Sequence, residues 1–533
     1  MLNITYNKIM FLWLSFLFTI VLTTAHAQSK LFDEKNGVQW SPVLEWTVKN
    51  FSYKGNPFDV DAKAVFFHSE SGKTITTHLF YDENDYWKFR FTGTEIGNWT
   101  FRTYCEDEDL DGWAGNVVIA QNENPAAHGF MKAFGDKWGW QGSETAFIPQ
   151  YVMGKVTSGY LDDEGHVDKV QIQSDIQEFV EDHGFTGFHI PVKGRWFDGE
   201  NPDPRIYRVV EEIIQNVHAK GGACHIWLWG CDPCRTRSGP ESFAGGAMSE
   251  IDLRNLRYLA ARLGPIPGWS MGYGYDTENG WIRPEVLDEW KAYLESRMGY
   301  DHFLGARVGF DHVGITRVEP RPPGPPVDAS NRSPVADQYT FWLGGDYTGY
   351  TSYRPLYPRY KAVIRHQPDK PSFEEDRFRI RDIENWRFKD YTPELTRRGL
   401  WHSAMAGGVA NIWGYYLPQY DDDELSRPYP IKDQIKTYST FFEHRFLPEM
   451  GTFYDGPELR LAVPDGKHAI IYRENCDIVR LNLQSLEGKQ SAIAVDTKKP
   501  YKEIEIGNFA VGNHTWKAPY RSDWAIAVGV FSV

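Results

Sequence analysis

Gly187-Phe-His-Ile-Pro-Val192, the amphipathic run Ile206 to Lys220, the break Gly221-Gly222, and then Ala223-Cys-His-Ile-Trp-Leu-Trp229 decide the fold. The two outer runs are short, apolar and bounded by glycine, as buried strands are. The middle run carries apolar residues at helical spacing and stops at glycine. A strand, a helix and a second strand make a crossover unit, and such units build parallel sheets.

The unit repeats on both sides. Upstream, Phe147-Ile-Pro-Gln-Tyr-Val152 reads as a first strand and Ile172 to His183 as its helix, stopped by Gly184. Downstream come a helix from Leu253 to Leu263, a fourth strand at Gly268-Trp-Ser-Met-Gly272, a helix from Pro284 to Arg297 and a fifth strand at Phe303-Leu-Gly-Ala-Arg-Val308. Phe341-Trp-Leu-Gly-Gly-Asp-Tyr347 is the sixth strand, Lys370-Pro-Ser-Phe-Glu-Glu-Asp-Arg-Phe-Arg-Ile-Arg381 the seventh and Val409-Ala-Asn-Ile-Trp413 the eighth. The expected class is α/β, with a (β/α)8 TIM barrel over residues 127–447. Proline-rich Arg317 to Pro334 and acidic Asp421-Asp-Asp-Glu424 read as loops.

Both flanks change period. Ala64-Val-Phe-Phe67, His78-Leu-Phe-Tyr81 and Tyr86-Trp-Lys-Phe-Arg-Phe91 alternate as half-buried strands, so residues 28–126 are expected to form an N-terminal Ig-like β-sandwich. Within it, Asp107-x-Asp109-x-Asp111-Gly112 opens like a calcium loop, but Val118 occupies the place of the last acidic ligand, and a solvated turn is the better reading. Alternation returns in Leu459 to Val463, Ala469 to Tyr472, Ile478 to Leu483 and Trp524 to Val528, which predicts a C-terminal β-sandwich over residues 448–533. Residues 1–27 read as a signal peptide: Lys8, an apolar stretch from Ile9 to Leu22, and Ala25-His-Ala27 as the cleavage site. The mature chain, from Gln28, is expected to be secreted or periplasmic and to have no membrane span.

The 533 residues carry 57 basic and 72 acidic side chains, a net charge of −15 that argues against nucleic acid as a partner. Twenty tryptophans and 29 tyrosines exceed what cores require in many chains, and surplus rings suit sugar-binding clefts. Five cysteines are too few for a disulfide framework. Cys231 and Cys234 have the spacing of a local disulfide, while Cys105, Cys224 and Cys476 read as buried thiols. No metal or cofactor is called for, since zinc motifs, phosphate loops and a G-x-S-x-G elbow are all missing.

Barrel active sites lie at the C-terminal ends of the strands. There the sequence offers His189 with Arg195 and Trp196, then Trp229, then Asp276 and Glu278, then Arg307, then Glu374 and Glu375 with Arg377 and Arg379, and finally Trp413. Two carboxylates from different strands are what glycoside hydrolysis needs. The chain resembles bacterial clan A glycoside hydrolases, and apiosidase-like barrels in particular. Phe80-Tyr81 and Gly97-Asn-Trp-Thr-Phe101 are similar to the sandwich before such barrels, and Arg397 to Gly414 is similar to their last helix and strand. The resemblance implies an acid/base after strand four and a nucleophile after strand seven. Phe373-Glu-Glu-Asp-Arg-Phe378 makes Glu375 the nucleophile or base, with Glu374 pointing the other way.

The chain departs from these relatives at strand four. They carry Trp-Ser-Leu-Ala-Asn-Glu-Tyr-Asp; here Trp269-Ser-Met-Gly-Tyr-Gly-Tyr-Asp276 puts Tyr273 for the Asn and Gly274 for the acid/base Glu. The acid then falls to Asp276, or to Glu278. His189, Arg195, Trp196, Trp229, Arg307, Arg377, Arg379 and Trp413 are the expected substrate-binding set. The arginines favour an anionic polysaccharide or its oligosaccharides. The expected activity is hydrolysis of O-glycosyl bonds. A non-catalytic glycan-binding protein on a degenerate barrel and a polysaccharide lyase are the alternatives.

Overall fold

The computed structural model describes residues 30–143, 146–155, 157–190, 196–198, 200–229, 248–274, 284–305, 307–308, 339–341, 356–366, 368–374, 392–413 and 431–531. The signal-peptide segment, Cys231 and Cys234, the proline-rich stretch and the acidic run at 421–424 lie outside these residues.

The N-terminal region has a five-stranded and a three-stranded sheet around one core. Its sequence alternation becomes alternation of burial: Gly97–Tyr104 buries every second side chain from Trp99 on. Trp46 stacks on Phe89 and Phe66 on Phe91, with centroids 5.2 and 4.2 Å apart. The acidic turn is tied internally, with Asn50 donating to Asp107 and Ser52 to Asp109.

The middle region is a curled parallel sheet of the TIM type. Its strands are Gln150–Met153, Gly187–Ile190, Cys224–Trp229, Trp269–Gly274, Phe303–Gly305 with Arg307–Val308, Tyr339–Phe341, Ser372–Glu374 and Ala410–Trp413. Each pairs in parallel with its neighbours. Residues 303–305 pair with the fourth strand and 307–308 with the sixth, so the two ends of the sheet are separated by one residue. Helices begin on local caps. Asp203 accepts from the Arg205 N–H with Pro204 following, Ser249 and Asp252 form a reciprocal capping box, and Thr392 caps Leu395. Each such cap is worth about 1 kcal/mol.

Two features differ from the sequence expectation. Phe147 belongs to a small antiparallel sheet of Met131–Phe134, Lys137–Trp140 and Ala146–Phe147, and the first barrel strand starts after Pro149. Proline has no N–H for a ladder, whereas its carbonyl still accepts from Asn411. This sheet puts Trp138 under the barrel: its ring lies 5.0 Å from Phe303, and its indole donates to the Ser372 carbonyl. The C-terminal region is one hydrogen-bonded six-stranded antiparallel sheet. Its long strands Ala469–Leu483 and Gly512–Val528 run through the whole unit, with register breaks between Arg473 and Ile478.

Charged residues join the N-terminal region to the barrel. Arg262 is fully buried, and Glu211 accepts from both Arg90 and Arg262. Burial alone would raise the Glu211 pKa, but the two guanidinium groups hold it below the usual range. At the other end Asp523 is sealed from solvent, accepting from Arg397, Arg398 and the Asn475 N–H. Trp401 stacks there on Tyr472, 5.2 Å apart. Among the described residues, no helix is long and apolar enough to cross a membrane.

Candidate active site

Register sorts the barrel side chains onto two faces. Tyr151, His189, His225, Ser270, Phe303 and Phe373 share the inner face, as their ring contacts and lateral pairings require. Gln150, Phe188, Trp269, Tyr273, Asn411 and Trp413 face the helices: Phe188 meets Phe179, Tyr273 meets Trp290, and Asn411 bonds Ser403.

The inner face is polar at mid-height. His189 Nδ1 lies 2.9 Å from His225 Nδ1, and the rings stack at 5.1 Å. Trp227 meets His189 edge-on at 4.0 Å, and Phe373 lies 4.5 Å from His225. Burial pushes His225 down to about 3. Burial, and then His225 itself, hold His189 well below the ordinary value. Two neutral rings sharing one proton between their Nδ1 atoms leave one Nε2 as donor and the other as acceptor. Both Nε2 atoms are buried, with no hydrogen-bond partner among the described residues. Burial also raises the Tyr151 hydroxyl pKa far above its usual value, opposed by Ser270. This cluster can orient hydrogen bonds inside the barrel, but it is not a charged site at neutral pH.

Above it the inner face of strands four and five becomes sparse. With Ser270 turned inward, a period of two gives Gly272 and Gly274 the next inner positions, and Gly272 pairs laterally with Trp227 and Gly305. Tyr273, which stands where the relatives' Asn is expected, packs outward against Trp290 and is buried. On strand seven Phe373 turns inward. Glu374, fully buried, pairs with Asn411 of the outward set.

The sequence candidates fall into three groups. Glu375, Asp276, Glu278, Arg195, Arg377 and Arg379 lie outside the described residues. Trp229 and Arg307 are strand residues whose lateral partners are Gly274 and Thr340. His189, Trp196 and Trp413 are fully buried. Trp196 packs edge-on against Tyr207. Trp413 donates to Gln150 Oε1 and packs against Phe185 behind the sheet. His189 lies on the inner face beside His225, whereas Trp196 and Trp413 pack against neighbouring rings, and nearness to a strand end did not reveal which face each takes. His225 was not among the candidates. The alternation of Ala223 to Trp229, which puts His225, Trp227 and Trp229 on one face, was the available signal. One exposed turn gathers Asp162, Glu164 and His166, and its own N–H bonds to Asp162 account for it.

A family profile described as a domain of unknown function (DUF5060) matches residues 38–106. No curated protein matches the sequence. Among solved structures, one from Bacteroides vulgatus described as a candidate glycoside hydrolase superposes with a TM-score of 0.66 at 14% identity, covering 93% of this chain and 99% of its own. A glycoside hydrolase of family 5 from the same species gives 0.55 at 14% identity, over 77% of this chain and 95% of its own. A further glycoside hydrolase gives 0.54 at 14% identity, over 77% and 99%. The likeness is one of fold, and the structural neighbours are glycoside hydrolases.

Proposed function

We propose that the protein is an exported glycoside hydrolase acting on a polysaccharide or its oligosaccharides, with the carboxylates at the ends of strands four and seven as its working groups. The inner-face register carries this reading. Phe373 turns into the barrel, so a strand continuing with period two would bring Glu375 to the same side. Glu375 is then the nucleophile or base. On strand four the inner position after Gly272 is Gly274, which has no side chain to donate a proton. The same period would carry Asp276, and after it Glu278, to the inner face. Asp276 is the first choice for the acid, because it is the nearer.

Arg195, Arg307, Arg377 and Arg379 are the proposed anion-binding set, which favours sulfated or uronic-acid glycans. Trp229 pairs with Gly274 and is the proposed ring for stacking on a sugar. A retaining mechanism is the preferred course: Glu375 would attack the anomeric carbon while Asp276 protonates the leaving oxygen. A carboxyl separation of about 5–5.5 Å fits this, and about 6.5–9.5 Å would fit inversion. The glycine at 274 also favours a second reading, a glycan-binding protein without turnover.

Screening the secreted protein on algal and plant polysaccharides, with product analysis, tests the activity. Glu375→Ala and Asp276→Asn test the roles. The expected result is product release by the wild type, its loss in Glu375→Ala, and rescue of that variant by azide with inverted product. Unchanged turnover in Glu375→Ala overturns the assignment. Binding without product across the panel favours the second reading.

A further inference from the structure

The N-terminal region reaches the open end of the barrel. Asn56 donates to Asn201 at 2.8 Å, and Asn201 lies on the hairpin between the second strand and its helix. Asp59 is held by Arg254 and Arg257 from the first turns of helix Glu250–Leu263, and Arg254 also donates to the Glu200 carbonyl. Strand ends leading into helix starts mark the catalytic face of such barrels. Residues 50–59 are thus a shoulder of that face, contributed by a different region of the chain.

The tip of this shoulder carries an unusual surface. Phe51 is 67% exposed, a large ring directed at water. Lys49 Nζ sits 4.0 Å from the Phe51 ring centroid and 4.9 Å from that of Tyr86. Lys49 and Tyr86 are cross-strand partners, so the Tyr86 ring and the ammonium stand on one ladder, and Phe51 follows two residues beyond its end. Beside Tyr86, three successive non-glycine residues hold left-handed backbone: Glu83, Asn84 and Asp85, with φ of 66°, 51° and 61°. Such residues cost of order 1 kcal/mol each and persist only where the surroundings over-determine them. Here Arg208 of the barrel grips Asp82 and Glu83, and the Asp85 carbonyl accepts from the Asn50 N–H. The result leaves Asn84 and Asp85 exposed next to the rings.

We propose that Lys49, Phe51, Asn84, Asp85 and Tyr86 form a glycan-docking shoulder that binds the polysaccharide chain running out of the barrel mouth. The inference rests on the hydrolase reading for its ligand and gives the N-terminal region a substrate-binding role. A flat ring meets the apolar face of a pyranose. The ammonium, amide and carboxylate around it meet equatorial hydroxyls. The Asn56–Asn201 bridge makes the surface continuous with the rim of the mouth. The rigid ladder and the pinned turn preorganise it, so little ordering entropy is lost on binding.

The test is retardation of the full-length protein in native gels cast with alginate, κ-carrageenan, xylan or laminarin. At least one polymer should retard the wild type. Phe51→Ala, at an exposed position that leaves the fold untouched, should weaken that retardation about tenfold, as loss of one aromatic contact does. Phe67→Ala, another exposed ring elsewhere in the region (46% exposed), should not change it. On the polymer the wild type degrades, Phe51→Ala should raise KM at unchanged kcat. Equal retardation of Phe51→Ala and wild type, or no retardation by any of the four polymers, overturns the shoulder. Retardation that depends on Phe51 without product from any polymer keeps the shoulder and overturns the hydrolase reading alone.

Discussion

The lower and upper halves of the barrel are built on opposite rules. At the bottom, Trp138, Phe303, Phe373 and Tyr151 fill the interior with rings, and the sheet at 131–147 seals it. Toward the top, Gly272, Gly274 and Gly305 take inner positions on two neighbouring strands. The His189–His225 pair lies between the two halves. A TIM barrel normally packs its interior with branched side chains. Withholding side chains at one end leaves room there, and the closed bottom gives that end a rigid floor. The packing contrast thus marks the end at which the proposed site would have room, without reference to any single residue.

Four measurements would break or sharpen the contrast. The largest effect is expected from Glu375→Ala, with hydrolysis down by about 10³-fold or more and thermal stability nearly unchanged; a fall in both together would make Glu375 part of the packed half. Trp138→Ala should cost about 3–5 kcal/mol in denaturant unfolding, because a fully buried ring is lost from the floor. A cost under about 1 kcal/mol would show that the bottom is not packed as described. The third expectation concerns acid. His189 and His225 are held neutral by burial, His218 and His302 likewise at about 4. Above about pH 6.5 they are neutral in both folded and unfolded chains and add no pH dependence. As pH falls below that value the unfolded chain takes up protons that the folded one refuses, so stability declines; the His218 and His302 share levels below about pH 4, while the His225 share continues to fall toward about pH 3. A melting temperature constant from pH 7 to 5 would contradict neutral buried imidazoles. The smallest effect is expected for Gly272→Ala, under about 1 kcal/mol; overpacking of a filled interior would cost about 1–3 kcal/mol instead.

Much of the architecture was legible because it rests on local signals. Glycine breaks at 184, 221 and 222 fixed the ends of the elements of the second and third units to within a few residues, whereas the caps at 203 and 249 start two helices two to three residues before the expected Ile206 and Leu253. The small sheet at 131–147 was missed because its strands are four residues or shorter and carry no long period. The site was less legible for a different reason. Whether Trp413 faces the cleft or the helices depends on its register beside Asn411, which sequence position alone does not give. The His189–His225 contact likewise exists only through the lateral pairing of two strands.

The charge cluster of Arg90, Glu211 and Arg262 has a consequence for how such a chain can evolve. A binding module on a flexible linker can be lost or exchanged between enzymes at little cost. Here, deleting the N-terminal region would leave Glu211 and Arg262 without Arg90, and would uncover Tyr258, against which Phe80 packs. Breaking a buried ion pair by removing one partner costs about 3–5 kcal/mol. The N-terminal region and the barrel are therefore coupled through one buried charge cluster, and a cut between them would fall on an interface rather than a linker.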